Sequence, residues 1–120
     1  MSRILLIGGT GFIGRSLLSS LSSEHTITVV ARSLDDKSGI LSAQPNITFF
    51  SGFDICHPQT FSDFFARHDI VINLAGLVSF HQKDREKLMN INYQGTLNII
   101  AACEKNKIQK LIHVSSTAAL

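Results

Sequence analysis

Cysteine is scarce in this sequence, and its scarcity argues against two classes of protein. Cys56 and Cys103 are too few and too far apart for a disulfide framework. Neither has a Cys or His partner at ligand spacing, so no metal site is expected, and a reducing, cytoplasmic setting is the default expectation. Long apolar runs are missing too. The stretches hold about four to six residues, against roughly 20 for a membrane-spanning helix, so no membrane partner is expected. Charge of one sign is not in excess either: 11 Lys and Arg stand against 9 Asp and Glu, a net charge of +2. Without a basic stripe, a nucleic-acid partner is not expected. No repeat, low-complexity tract or linker divides the 120 residues, which read as one domain with a genuine core. An apolar strand begins almost at the first residue, so no signal peptide is expected.

What is present is organised around Ile4-Leu5-Leu6-Ile7-Gly8-Gly9-Thr10-Gly11-Phe12-Ile13-Gly14. Four consecutive apolar residues predict a strand buried on both faces, as inside a parallel sheet. After the glycines, apolar residues resume at helical spacing with Ile13, Leu17 and Leu21. The stretch therefore reads as strand, tight turn and helix. Gly8 lets the chain leave the strand through backbone angles that a Cβ would block. Gly11 lets the main chain touch a bound diphosphate, and Gly14 lets the helix pack closely on the sheet. The free N–H groups at the start of that helix then face the anion. The words Gly-Gly-Thr-Gly-Phe-Ile-Gly resemble the nucleotide-binding signature of the extended short-chain dehydrogenase/reductase family, which includes sugar-nucleotide epimerases and dehydratases and 3β-hydroxysteroid dehydrogenases. On that resemblance Gly8, Thr10, Gly11, Phe12, Ile13 and Gly14 line a dinucleotide cofactor.

Four further apolar runs follow, at Ile27–Val30, Ile47–Phe50, Ile70–Leu74 and Leu111–Val114, separated by segments suited to helices or loops. The alternation β-α-β-α-β-α-β-α-β predicts an α/β fold, a doubly wound parallel sheet with helices on both faces. A Rossmann-like strand order of 3-2-1-4-5 is expected, with the ligand crevice where the order reverses. Residues 1–120 then form an NAD(P)-binding domain, incomplete at the C-terminal side.

The second strand ends at Val30-Ala31-Arg32. An NAD-preferring fold places an acidic residue here, about 20 residues beyond the glycine loop, to bind the ribose hydroxyls. A carboxylate would repel a 2′-phosphate, whereas the Arg32 guanidinium can bind it bidentately. This favours NADP(H) over NAD(H). The alternative is that Arg32 is a solvated strand-end residue and that Asp35 or Asp36 reaches the ribose. After the third strand, Asp54-Ile55 resembles the family's adenine-bracketing pair, the carboxylate taking the exocyclic amine and the aliphatic side chain packing on the ring. The family more often has Gly directly before that Asp, where this chain has Phe53. Asp54 also suits a turn former ahead of His57-Pro58.

Strand four runs into Asn73-Leu74-Ala75-Gly76, whose small residues let the backbone pass close under a cofactor. The stretch resembles the family's Ala-Gly loop. His81 beyond it reads as a surface-loop residue rather than an acid or base. A long helix is expected from about Lys83 to Asn106, with Leu88, Ile91, Asn92, Gly95, Ile99 and Ala102 on one stripe. Gly95 weakens a helix and makes sense where another backbone comes close. Asn92 lies in a stretch resembling the family's Asn-x-x-Gly-Thr, where the Asn braces the active-site strand ends.

Strand five delivers Val114-Ser115-Ser116-Thr117-Ala118. The resemblance gives Thr117 the task of hydrogen-bonding the substrate's reacting oxygen; an ordinary polar strand exit is the other reading. The family's acid/base pair, a later Tyr-x-x-x-Lys, has no counterpart in these residues, because Tyr93 is the sole tyrosine and position 97 is Leu. Two functions therefore stand. One is the NADP(H)-binding part of an oxidoreductase or epimerase/dehydratase-like enzyme acting on an unidentified small molecule. The other is a non-catalytic, redox-sensing NADP(H) module. Self-association through the strand-five edge is expected if nothing else covers it.

Overall fold

The computed structural model describes residues 2–8, 12–31, 46–61, 64–74 and 85–114. The side chains of residues 12–15, 60, 85 and 87–92 are outside that description. Five strands are present: β1 (Arg3–Ile7), β2 (Thr26–Val30), β3 (Ile47–Phe50), β4 (Ile70–Asn73) and β5 (Lys110–His113). All pair in parallel, in the order β3-β2-β1-β4-β5. Two α-helices are described, α1 (Phe12–Leu21) and α2 (Arg85–Lys105). Among the described residues, no helix is long and apolar enough to cross a membrane.

Alternation along the strands divides the core. Leu5 and Ile7 of β1 join Val30 and Val71 in a cluster with Phe53, Ile55, Phe61, Phe65, Ile99 and Cys103. Ile4 and Leu6 point the other way, into a cluster with Leu18, Ile27, Val29 and Ile72. Successive strand residues face opposite sides, so β1 feeds both cores. α1 covers the second face with Leu18 buried and Leu17 and Leu21 half-buried. α2 covers the first face through Ile99, Cys103 and Ala102.

α2 ends in a Schellman arrangement. Ile108 N–H donates to the Cys103 carbonyl at 3.0 Å and Lys107 N–H to that of Glu104 at 3.3 Å, with Lys107 at φ +54°. Ile108 packs into the same cluster as Cys103, which supplies the apolar contact such caps carry. Burial pushes the Cys103 thiol up to about 11, so it remains an unreactive thiol at neutral pH.

Between β3 and β4 the described residues form two short 3₁₀ turns, Pro58–Thr60 and Phe65–Arg67, where a helix fits the alternating pattern. Phe53 stacks on Phe61 with centroids 4.5 Å apart, and Phe65 lies 5.6 Å from Phe61. All three are 2% exposed or less, so the chain is drawn down onto the sheet in short turns. The segments expected between β2 and β3, like His81, lie outside the described residues.

His68 closes this region. Its Nδ1–H donates to the Phe64 carbonyl, and its Nε2 accepts from the Thr28 hydroxyl at 3.0 Å. Burial lowers its pKa below the ordinary 6.5; the Phe64 bond opposes this, the Arg3 cation adds to it, and Asp69 opposes it. Above that value the ring is neutral in both folded and unfolded chains, and its contribution is complete. As pH falls, the unfolded chain takes up the proton first, so stability declines until folded His68 titrates as well. Urea midpoints should therefore drop as pH falls below the ordinary histidine value of 6.5, and His68→Gln, which keeps a neutral donor and acceptor, should flatten that drop. An equal slope in the variant would assign the pH dependence elsewhere.

Candidate functional site

The in-register pairing sets Phe50, Val30, Ile7, Asn73 and His113 in one row at the carboxyl end of the sheet. The ladder continues one residue further. Gly8 N–H donates to Val30 (2.9 Å), Ala31 N–H to Phe50 (3.2 Å), Leu74 N–H to Ile7 (2.8 Å) and Val114 N–H to Asn73 (3.1 Å). Loops leaving these ends therefore start from one level. The order reverses at β1, whose neighbours are β2 and β4, and a crevice at such a switch point is where open α/β sheets bind ligands.

Gly8 leaves β1 at φ +79°, a left-handed conformation that favours glycine. α1 begins at Phe12, so the start of this helix follows closely on the end of the central strand, and Phe12, Ile13 and Gly14 form its first turn. Thr10 and Gly11 lie outside the described residues, as do Arg32, Ala75, Gly76 and Thr117. Leu74 is half-buried against the second core cluster. Asn92 lies within α2, its side chain outside the description.

Asp54 and Ile55 have separate surroundings. Asp54 builds the turn: its Oδ1 accepts from Cys56 N–H at 2.9 Å, and its carbonyl accepts from His57 N–H at 2.9 Å. Its Oδ2 lies 3.0 Å from His57 Nδ1, and the carboxylate side chain is 29% exposed. Ile55 is buried in the core. Phe53, the departure from the family pattern, is an aromatic core anchor; the left-handed glycine stands one position earlier, at Gly52 with φ +87°.

Gly95 is where α2 meets this turn, and its neighbour is a side chain rather than the backbone expected from the sequence. A β-carbon on Gly95 would fall 2.7 Å from Cγ1 of Ile55 and 3.2 Å from its Cβ. One turn later, Asn98 Nδ2 donates to the Ile55 carbonyl at 2.8 Å.

Two residues were not singled out in the sequence. Asn73 is buried, 1% exposed, and its Nδ2 donates to His113 Nδ1 at 3.1 Å. Its signal was a polar residue inside an apolar strand. Asn98 carried no such signal, because half-buried amides on helices are common. Among the described residues, no group of three or more His, Cys, Asp or Glu could hold a metal ion.

The Gly95 contact has a sign that can be measured. Gly→Ala in a helix interior normally stabilises by about 1 kcal/mol, whereas overpacking a core costs about 1–3 kcal/mol. Gly95→Ala should therefore destabilise the protein. In an Ile55→Ala background, which removes Cγ1 and Cδ1, the same change should stabilise it. Additive effects in the double-mutant cycle, read by urea unfolding, would rule out the contact.

Residues 4–120 match the family model described as the NAD dependent epimerase/dehydratase family. Among curated proteins, a 4-hydroxy-2-methyl-3-oxo-4-farnesyl-3,4-dihydroquinoline-1-oxide ketoreductase of Stigmatella aurantiaca is 31% identical over 98% of this chain and 34% of its own length. The N-acetyl-alpha-D-glucosaminyl-diphospho-ditrans,octacis-undecaprenol 4-epimerase of Escherichia coli O157:H7 is 31% identical over 96% of this chain and 32% of its own. The crystal structure of the Bordetella bronchiseptica enzyme WbmG in complex with NAD superposes with a TM-score of 0.80 at 21% identity, over 93% of this chain and 36% of that one. The chain thus spans about a third of the length of the curated relatives it matches.

Proposed function

We infer the function from one premise: the chain belongs to the NAD dependent epimerase/dehydratase family. Residues 1–120 are proposed to be its NAD(P)-binding domain, serving an oxidoreductase or a sugar-nucleotide epimerase/dehydratase-like enzyme. The observation that carries this reading is the passage from a central, doubly buried strand through left-handed Gly8 into α1 at the carboxyl edge of a 3-2-1-4-5 sheet. Backbone N–H groups and the positive end of α1 there favour a diphosphate.

Residues 8–14 cradle the diphosphate in this reading, and Leu74, Ala75 and Gly76 pass beneath the nicotinamide end. Asp54 accepts from the adenine amine, and the side chain of Ile55 packs on the ring. Asn92 braces the strand ends, and Thr117 holds the substrate's reacting oxygen. The bound nicotinamide supplies or accepts the hydride at a carbinol or carbonyl carbon. Proton transfer at that oxygen needs more than a hydroxyl, and positioned acid–base groups typically contribute about 10²–10⁴-fold. The reading assigns that work to a Tyr-x-x-x-Lys pair outside residues 1–120, in a protein of the length its relatives have. The substrate is proposed only as a small molecule of carbinol or carbonyl type, and the setting as cytoplasmic. β5 stands at the edge of the described sheet, with Ile112 and Val114 exposed, which supports self-association through that edge where no further strand covers it.

Gly11→Val tests the cradle. A branched side chain would occupy the diphosphate's place, so dinucleotide binding should be abolished while the melting temperature of the free protein stays close to that of the parent. Undiminished binding by calorimetry would refute the reading.

Cofactor preference is proposed as NADP(H) over NAD(H), from Ala31-Arg32 at the tip of β2. NADPH should bind more tightly than NADH, and Arg32→Ala should remove most of the difference. A charge-assisted phosphate contact is worth on the order of 1.5–3 kcal/mol. Equal fluorescence-titration midpoints for the two cofactors would refute it.

A further inference from the structure

The turn at Asp54 is held from α2 by two contacts one helical turn apart. Gly95 lets α2 sit directly on the Ile55 side chain, and Asn98 Nδ2 then reaches the Ile55 carbonyl at 2.8 Å. The amide of Asn98 is itself oriented, because its Oδ1 accepts from Gln94 Nε2 at 3.3 Å. On the other side, Phe53 is locked between Phe61 and Phe65. Between these anchors the backbone at Asp54 has little freedom. The carboxylate is fixed within that turn, with Oδ1 accepting from Cys56 N–H and Oδ2 lying 3.0 Å from His57 Nδ1.

We propose that Asn98 is a positioning residue for adenine recognition, fixing the Asp54–Ile55 turn so that Asp54 Oδ2 meets the exocyclic amine. This rests on the assignment of Asp54 to the adenine. A single hydrogen bond to a base edge is lost when its acceptor swings by about an ångström, and a turn outside the sheet ladder needs an anchor to prevent that swing. Asn98 provides it from a helix that is already seated on the core by Ile99 and Cys103, so the recognising carboxylate inherits the rigidity of α2.

The test compares NAD(P)⁺ with its hypoxanthine analogue, in which a carbonyl acceptor replaces the amine donor, using the whole gene product and calorimetry. The parent should prefer the adenine form by roughly tenfold or more, the size expected of a hydrogen bond to a charged group. Asp54→Asn keeps an acceptor for Cys56 N–H and turns the other position into a donor, so it should cancel or reverse the preference. Asn98→Asp, isosteric but without the donor, and Asn98→Ala should each cancel most of it. Affinity for the hypoxanthine form should stay within about twofold of the parent, since that form makes no such bond. Melting curves of the same samples identify any variant that fails to fold, and the second substitution at position 98 then carries the measurement. A parent without preference, or an Asp54→Asn variant that keeps it, overturns the adenine assignment itself. Loss in Asp54→Asn with retention in both Asn98 variants leaves that assignment standing and overturns the positioning role. Equal weakening of both ligands by the Asn98 variants also overturns it, because a merely structural residue would act in that way.

Discussion

Leu5, Leu6 and Ile7 are each 1% exposed or less, although consecutive strand residues point to opposite faces. Both faces of β1 must therefore be covered, and both of its edges are paired, with β2 on one side and β4 on the other. A strand so enclosed cannot shift by one residue, since the slip would exchange every side chain between the two cores. The register of the neighbours follows, and with it the common level at which the five carboxyl ends stop. That common level is a consequence of the enclosure of β1. Burying each of these large aliphatic side chains is worth about 1.5–3 kcal/mol, so the level of the strand ends is fixed by strong, non-directional forces.

Much of this was legible in the sequence. The strands fall within a residue or so of the apolar runs, and the sheet order follows from the alternation of elements and from right-handed crossovers. The long helix also lies where its stripe of Gly95, Ile99 and Ala102 points inward. Legibility ended where contacts are made between segments distant in the chain. Gly95 announced a close approach, but nothing in its neighbourhood named Ile55, 40 residues earlier in the numbering, as the group that approaches. The link between β3 and β4 has residues suited to a helix, but its described residues form 3₁₀ turns, with Phe53, Phe61 and Phe65 drawn into one core. A tertiary demand overrode local propensity there.

The site residues divide along the same line. Gly8 is legible because a backbone need maps onto one residue type. Asp54 is ambiguous because the same carboxylate that can accept from a ligand also accepts from Cys56 N–H two residues on, and a sequence cannot say which use prevails. A carboxylate has about four lone-pair sites, so the turn and the ligand need not compete. Asn98 is invisible, since its partner is a backbone carbonyl, which every residue has. Asn73 lies between these cases. A polar residue in an apolar strand is conspicuous, but its pairing with His113 depends on the β4–β5 register, which is a property of the folded sheet.

Among the described residues, the places where local rules are broken are not scattered. Gly8 and Gly52 have left-handed backbones, Asn73 is a buried amide, and Gly95 sits in a helix interior at a propensity cost of about 1 kcal/mol. The first three stand at or just beyond the carboxyl ends of the strands, and the fourth packs on the loop that leaves β3. At the amino ends the bonds are of a conventional kind. Ser2 N–H donates to His25 Nδ1 at 3.0 Å, and Arg3 N–H donates to Asp69 Oδ2 at 3.0 Å. The left-handed Lys107 breaks the pattern only in appearance, because it closes α2 in a cap that satisfies two of the last carbonyls. Selection for stability alone gives no reason for these exceptions among the described residues to gather at one edge of the sheet. Local conflicts persist where function requires them and are offset elsewhere. Here the offset is the aromatic and aliphatic core on the α2 side, and the edge that carries the conflicts is the one where Gly8 leaves β1.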